Sequence, residues 1–92
     1  DNAEAGYEFT GYPNPFNAEA TLTYSIPAEG SVKLHVYNSI GELVGIIENG
    51  VQTSGKHTIT FSSENLPSGM YTFRLEYTGE GKSKCMILKM VH

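Results

Sequence analysis

The side chains that could carry chemistry in this 92-residue chain are few and scattered: one aspartate (Asp1), one cysteine (Cys85) and three histidines (His35, His57, His92). Nucleophilic catalysis by Ser or Cys needs a base within reach and a third group to orient that base. Asp1 lies in a stretch that reads as linker, and His35 and His57 fall in the middle of segments that read as strands. No Ser/His/Asp or Cys/His arrangement is expected, and Cys85 reads as a small packed hydrophobe.

Metal chemistry fares no better. Transition-metal sites draw His, Cys or carboxylate ligands at local spacings, which the three histidines do not share; they are expected to be exposed strand residues. Calcium loops need alternating Asp and Asn, and one aspartate cannot supply them. Gly81-Lys82-Ser83 imitates the end of a phosphate-binding loop, but Glu76 stands where that loop needs its first glycine, so the tripeptide reads as a turn. Tyr7, Tyr12, Tyr37 and Tyr77 are candidate members of a sugar-binding platform, without a tryptophan to anchor it. The expectation is a chain with no enzymatic activity, no cofactor and no tightly bound metal.

Charge points the same way. Ten acids against six bases give a net charge of −4, which repels a phosphate backbone and argues against nucleic-acid binding. Residues 1 to 81 hold every acid, and residues 82 to 92 hold none but carry Lys82, Lys84 and Lys89. The C-terminal end is therefore read as a separate, basic zone. A single cysteine excludes an internal disulfide. No apolar run approaches the ~20 residues of a membrane-spanning helix, so membrane insertion is not expected. The opening Asp1-Asn2-Ala3-Glu4-Ala5-Gly6 lacks a signal-peptide layout and reads as a linker remnant over residues 1–8, ahead of one domain over 9–92.

The elements that would position these residues are strands. Short alternating segments rich in Val, Ile, Thr and aromatics are separated by Gly, Pro, Asn and Ser clusters, the pattern of an all-β sandwich. Seven strands are expected: near Tyr7 to Thr10, then Ala20 to Ile26, Ser31 to Asn38, Leu43 to Glu48, Lys56 to Phe61, Met70 to Thr78 and Lys82 to Met90. The third and fourth read as a hairpin, Asn49-Gly50 and Ser54-Gly55 as turns, and no helix is expected. Leu22, Tyr24, Leu34, Val36, Ile59, Phe61, Phe73 and Leu75 should face the core. The last strand is apolar on both faces near its end and should lie inside a sheet or beneath a cover.

Two segments are locally unusual. Tyr12-Pro13-Asn14-Pro15-Phe16-Asn17 loses two backbone donors to proline and should form a rigid corner, with both asparagines in Asx turns and Tyr12 and Phe16 packed back on the sandwich. Leu66-Pro67-Ser68-Gly69-Met70-Tyr71 reads as a turn with Gly69 at positive φ, and Tyr71 as a tyrosine corner whose hydroxyl bonds backbone a few residues upstream.

These segments, with Val32-x-Leu34-x-Val36-Tyr37-Asn38-x-x-Gly41 between them and a Lys-rich last strand, resemble over residues 9 to 92 the type A C-terminal sorting domain of the type IX secretion system. The resemblance implies an immunoglobulin-like, Greek-key antiparallel β-sandwich appended to a larger secreted cargo. It implies recognition by outer-membrane translocation and sortase machinery, passage through the periplasm to the outer surface or the medium, and removal by a sortase-like protease. Carried over by position, Gly69 and Tyr71 match the turn motif, and Lys82, Lys84, Met86, Leu88 and Lys89 match the basic, apolar terminal strand. Cys85 departs from the pattern, where lysine is common. Two other readings share parts of these motifs: the immunoglobulin-like domain of flagellar hook-capping proteins, and a spacer or carbohydrate-contact module of a surface enzyme. The terminal strand from Lys82 onward, basic and at an exposed chain end, is the expected recognition surface.

Overall fold

The computed structural model describes residues 6–14, 16, 18–63 and 66–92. Seven strands follow in order: β1 (Glu8–Tyr12), β2 (Glu19–Ile26), β3 (Gly30–Tyr37), β4 (Leu43–Gln52), β5 (Gly55–Ser62), β6 (Met70–Gly79) and β7 (Lys82–Val91). They form two antiparallel sheets, β1-β2-β5 and β4-β3-β6-β7. Among the described residues there is no helix.

Alternation decides which face is buried, because side chains two apart on a strand share a side. Ala20, Leu22, Tyr24 and Ile26 of β2, Val32, Leu34 and Val36 of β3, and Tyr71, Phe73, Leu75 and Tyr77 of β6 all turn inward and form one core with Phe9, Phe16, Met86 and Met90. Of the side chains expected there, Ile59 and Phe61 are only half-buried against it. The cause is position: β5 and β4 are both sheet edges, and few contacts join them, so the inner face of β5 lacks a cover along that flank.

Five local expectations give way, the first being Cys85, which is no packed hydrophobe but lies exposed opposite Glu76 on the outer face of β7. Asn49-Gly50 is no turn. β4 runs straight through it, with Asn49 opposite Lys33 and Gly50 opposite Val32, and two register shifts later in the pair absorb the extra residues as bulges. The chain turns instead at Ser54-Gly55, where Gly55 has φ 108. β7 is neither inside a sheet nor covered on both faces. It is the edge strand next to β6, and Ile87 and Val91 on its outer face are each 40% exposed. An antiparallel sheet can leave one face in solvent, and the apolar residues there mark a surface rather than a core.

Tyr12 does not pack back on the sandwich; it is 61% exposed. The histidines are not exposed strand residues: all three are half-buried. His57 stacks on Tyr24 (5.1 Å between ring centroids), and His35 lies against Tyr37. An imidazole is amphipathic, so on the rim of an aromatic core its carbon face packs while a ring nitrogen still finds a carbonyl, as His57 Nε2 does with Thr53 O at 2.7 Å.

Tyr24 combines complete burial with a hydroxyl that has no hydrogen-bond partner among the described residues. Burial first, and then the Glu48 carboxylate, push its pKa from 10.0 up to about 12. The folded domain thus holds this phenol neutral where the unfolded chain ionises it. The resulting stability is whole below the unfolded value of 10.0 and is lost as pH rises through about 12. Tyr24→Phe removes an unsatisfied buried hydroxyl and is expected to leave stability at pH 7 unchanged or raised by up to ~1 kcal/mol. It is also expected to flatten the alkaline decline, which thermal melts across that window measure.

Candidate functional site

The last strand ends where three distant segments meet. β6 and β7 pair along their whole length, from Gly79 opposite Lys82 to Met70 opposite Val91. Gly69 and His92 extend the ladder by one step, with Gly69 N donating to His92 O (3.0 Å) and His92 N to Gly69 O (2.8 Å). Gly69 holds φ 154 there, a conformation open mainly to glycine. Tyr71, entering β6, donates its hydroxyl to Pro67 O as a tyrosine corner should.

The opposite edge of β7 is held by the proline-rich corner. Phe16 N donates to Val91 O (2.8 Å), and Val91 N donates to Asn14 Oδ1 (3.0 Å) while Asn14 Nδ2 reaches Lys89 O at 3.5 Å. Asn14 is thus spent on the terminal strand and not on the Asx turn expected of it; Asn17 lies outside the described residues. Prolines on either side explain the economy: a segment poor in backbone donors cannot pair as a strand, and a side-chain amide supplies one donor and one acceptor in its place. β1 comes close to β7 at Gly11, where a Cβ would stand 2.8 Å from the Met90 sulfur, 2.9 Å from Leu22 and 3.0 Å from Leu88 and would make those side chains shift.

His92 fills the gap between the two corners. Its ring stacks on Phe16 (centroids 5.0 Å apart, 20° between planes) and lies 6.1 Å from Tyr71. Nδ1 is 3.3 Å from Phe16 O and Nε2 3.2 Å from Leu66 O. A neutral ring can donate to one of these carbonyls and an imidazolium to both. Nothing in the sequence spacing marks His92 for this role; only the lack of donors in the two proline segments hints that a nearby residue must supply them.

Of the residues expected to be recognised, Gly69, Tyr71 and Lys89 lie at this end, Lys89 opposite Thr72 and exposed. Lys82 and Lys84 do not join them. They sit near the β6–β7 turn, five or more residues back along the strand, roughly 17 Å or more at ~3.4 Å per residue. They also share the side of Met86 and Leu88, so Lys84 folds over the Tyr7 ring, 5.5 Å from its centroid. The basic zone is therefore two sites at opposite ends of β7, a separation set by strand geometry that a charge count along the chain does not show. Glu80 (φ 50) and Gly81 (φ 74) make the turn from β6 into β7.

The candidate sugar platform is not assembled either. Tyr77 is in the core, bonded through its hydroxyl to Ala28 O (2.8 Å), Tyr12 stands on one sheet, and Tyr37 stands on the other. Burial, more than the charges of Tyr7 and Glu80, raises the Tyr77 pKa. On the outer face Arg74 pairs with Glu76 at 3.1 Å. A hydrogen bond with Cys85, followed by the charges of Cys85, Glu76 and Tyr37, raises the guanidinium pKa, which leaves it charged at every relevant pH.

Asn14→Ala tests the clasp. It should cost about 0.5–1.5 kcal/mol, since Val91 N exchanges its acceptor for water, and speed amide exchange at Val91 while leaving the β2–β5 pairing protected. Equal protection of Val91 in both proteins would refute that role.

Among the described residues no group of three His, Cys, Asp or Glu could hold a metal ion. No curated protein matches the chain. The family model for the secretion system C-terminal sorting domain matches residues 10–89, a span that starts at the proline-rich corner's leading strand and ends on Lys89. With both corners closing on the terminal strand and 80 of its 92 residues matched, the chain belongs to the family of type IX secretion C-terminal sorting domains.

Proposed function

We propose that the end of β7, together with the Asn14–Phe16 and Leu66–Tyr71 corners that hold it, is the surface by which outer-membrane translocation machinery reads this domain. In this reading the domain is a non-catalytic signal on an upstream cargo. It crosses the periplasm with that cargo, is recognised, and is removed by a sortase-like protease at the outer surface. The supporting observation is the convergence at one end: the Gly69–His92 pair on one edge of the strand and the Asn14 and Phe16 bonds on the other. The strand order β1-β2-β5 against β4-β3-β6-β7 and the Tyr71–Pro67 bond support an immunoglobulin-like Greek key as the scaffold.

Simple truncation is a poor test, because Met90 is fully buried and Val91 and His92 close the corners. A cleaner one leaves the fold whole. Residues 1–92 are fused behind a periplasm-directed reporter in a bacterium with the type IX system, and the same fusion is made with a short Gly/Ser tail after His92. The first is expected at the cell surface or in the medium, and the tailed form in the periplasm with an unchanged melting temperature. Surface delivery of the tailed form at the untailed level would show that the end of β7 is not what is read.

A further inference from the structure

Exposed apolar side chains are divided unevenly between the two outer faces of the sandwich. Register places Leu43 opposite Tyr37, Ile46 opposite His35 and Val51 opposite Ser31, and Ile87 opposite Arg74 and Val91 opposite Met70. All six apolar residues therefore stand on the outer face of the four-stranded sheet, where Leu43, Ile46 and Val51 are 50%, 56% and 67% exposed. They form two strips, one along β4 and one along β7 with the start of β6. The outer face of the other sheet carries threonine rows instead, Thr10-Thr23-Thr58 and Tyr12-Thr21-Thr60.

Between the apolar strips the four-stranded face is polar and cationic. Among the described residues, Lys33, Arg74 and Lys89 lie on that face of the strands with Glu76 as the one carboxylate between them, on a chain whose net charge is −4. Arg74 stands between two shallow grooves. One, of about 360 Å³, is lined by Tyr37, Asn38, Thr72 and Ile87; the other, of about 370 Å³, by Glu76, Ser83, Lys84 and Cys85. An apolar body ending in a carboxylate suits the first, with Ile87 and Tyr37 beside the chain and the guanidinium at its end.

We propose that this face binds an acidic, apolar protein segment of the machinery that reads the sorting signal, its apolar side chains on the β4 and β7 strips and its carboxylates toward Lys33, Arg74 and Lys89. The inference rests on the sorting reading above. Grouped exposed apolar residues rimmed by polar ones mark a contact surface, and the charge on this one selects an acidic partner. A second copy is disfavoured, because a two-fold pairing of this face with itself would set its cations against each other. An anionic membrane is disfavoured by the acidic remainder of the domain.

The reporter fusion tests this with two variants. Ile46→Ser/Val51→Ser removes the most exposed part of the β4 strip, far from the end of β7, and changes at such exposed positions usually stay within ~0.5 kcal/mol. Lys33→Glu/Lys89→Glu reverses the charge of the face. Each is expected to keep the parent melting temperature and to lower surface reporter by roughly tenfold or more, the loss given by removing a contact hot spot.

Export of both folded variants at the parent level, with the tailed fusion trapped, would overturn the inference and leave the sorting reading standing. Failure of the parent fusion itself to reach the surface would remove both. Two further results would also overturn the inference: a dimer in sedimentation of the parent domain that Ile46→Ser/Val51→Ser dissolves, and flotation of the parent with phosphatidylglycerol vesicles that Lys33→Glu/Lys89→Glu abolishes. If the serine pair unfolds the domain, Lys33→Glu alone decides, because Lys33 stands on β3 away from the end of β7.

Discussion

The backbone of Val91 is bonded on its outer edge to Asn14 and Phe16, and the backbone of His92 on its inner edge to Gly69. Much else depends on that double closure. An edge strand normally exposes a row of unpaired donors and acceptors, open to pairing with another chain. Here the last residues of the edge are covered by a segment that cannot itself act as a strand, because its two prolines have removed two of its donors. The corner caps the ladder without extending the sheet. Met90, fully buried one residue before Val91, anchors the same stretch from the core side, so the strand end is fixed in all directions except along its own axis and outward.

The two flanks of the sandwich then differ for a physical reason. On one flank β1 approaches β7 through Gly11, and the Phe16 ring fills the end against Phe61 and Phe73. On the other flank β4 and β5 are edges with little between them, Ile59 and Phe61 remain half-buried, and β4 brings Ile47 part-way onto the core while Leu43, Ile46 and Val51 stay outside. A 92-residue domain has too little apolar surface to close every side. This one closes the side that carries the end of β7.

The large features were legible because they follow from alternation. The inward sets of β2, β3 and β6 were readable from a period of two, since each strand has one face in the core and one in water. Alternation fails where both faces are apolar, which is why β7 looks like an interior strand until its outer residues are seen as surface. It also fails at Asn49-Gly50, a dipeptide that tolerates a turn without requiring one; the pairing of β3 with a long β4 overrode it, as tertiary pairing often overrides turn propensity. At the site, Gly69 and Tyr71 were legible from turn chemistry. The partners of Asn14 and His92 were not, because a hydrogen bond between residues 14 and 91 leaves no periodic trace in the chain.

Those long-range partners bear on what the signal means. Asn14 and Val91 are 77 residues apart, Phe16 and His92 76, and Leu66 and His92 26. The geometry at the end of β7 therefore exists only after the N-terminal corner, the Leu66–Tyr71 turn and the last strand have come together, which means after segments from both sheets have met. Loop closure over such separations is the slow, entropically expensive part of folding a β-sandwich. A receptor that reads this end is reading the completed fold. An unfolded or partly folded chain presents the same residues in sequence, with Lys89, Val91 and His92 in place along the chain, yet without the clasp it does not present them in that shape.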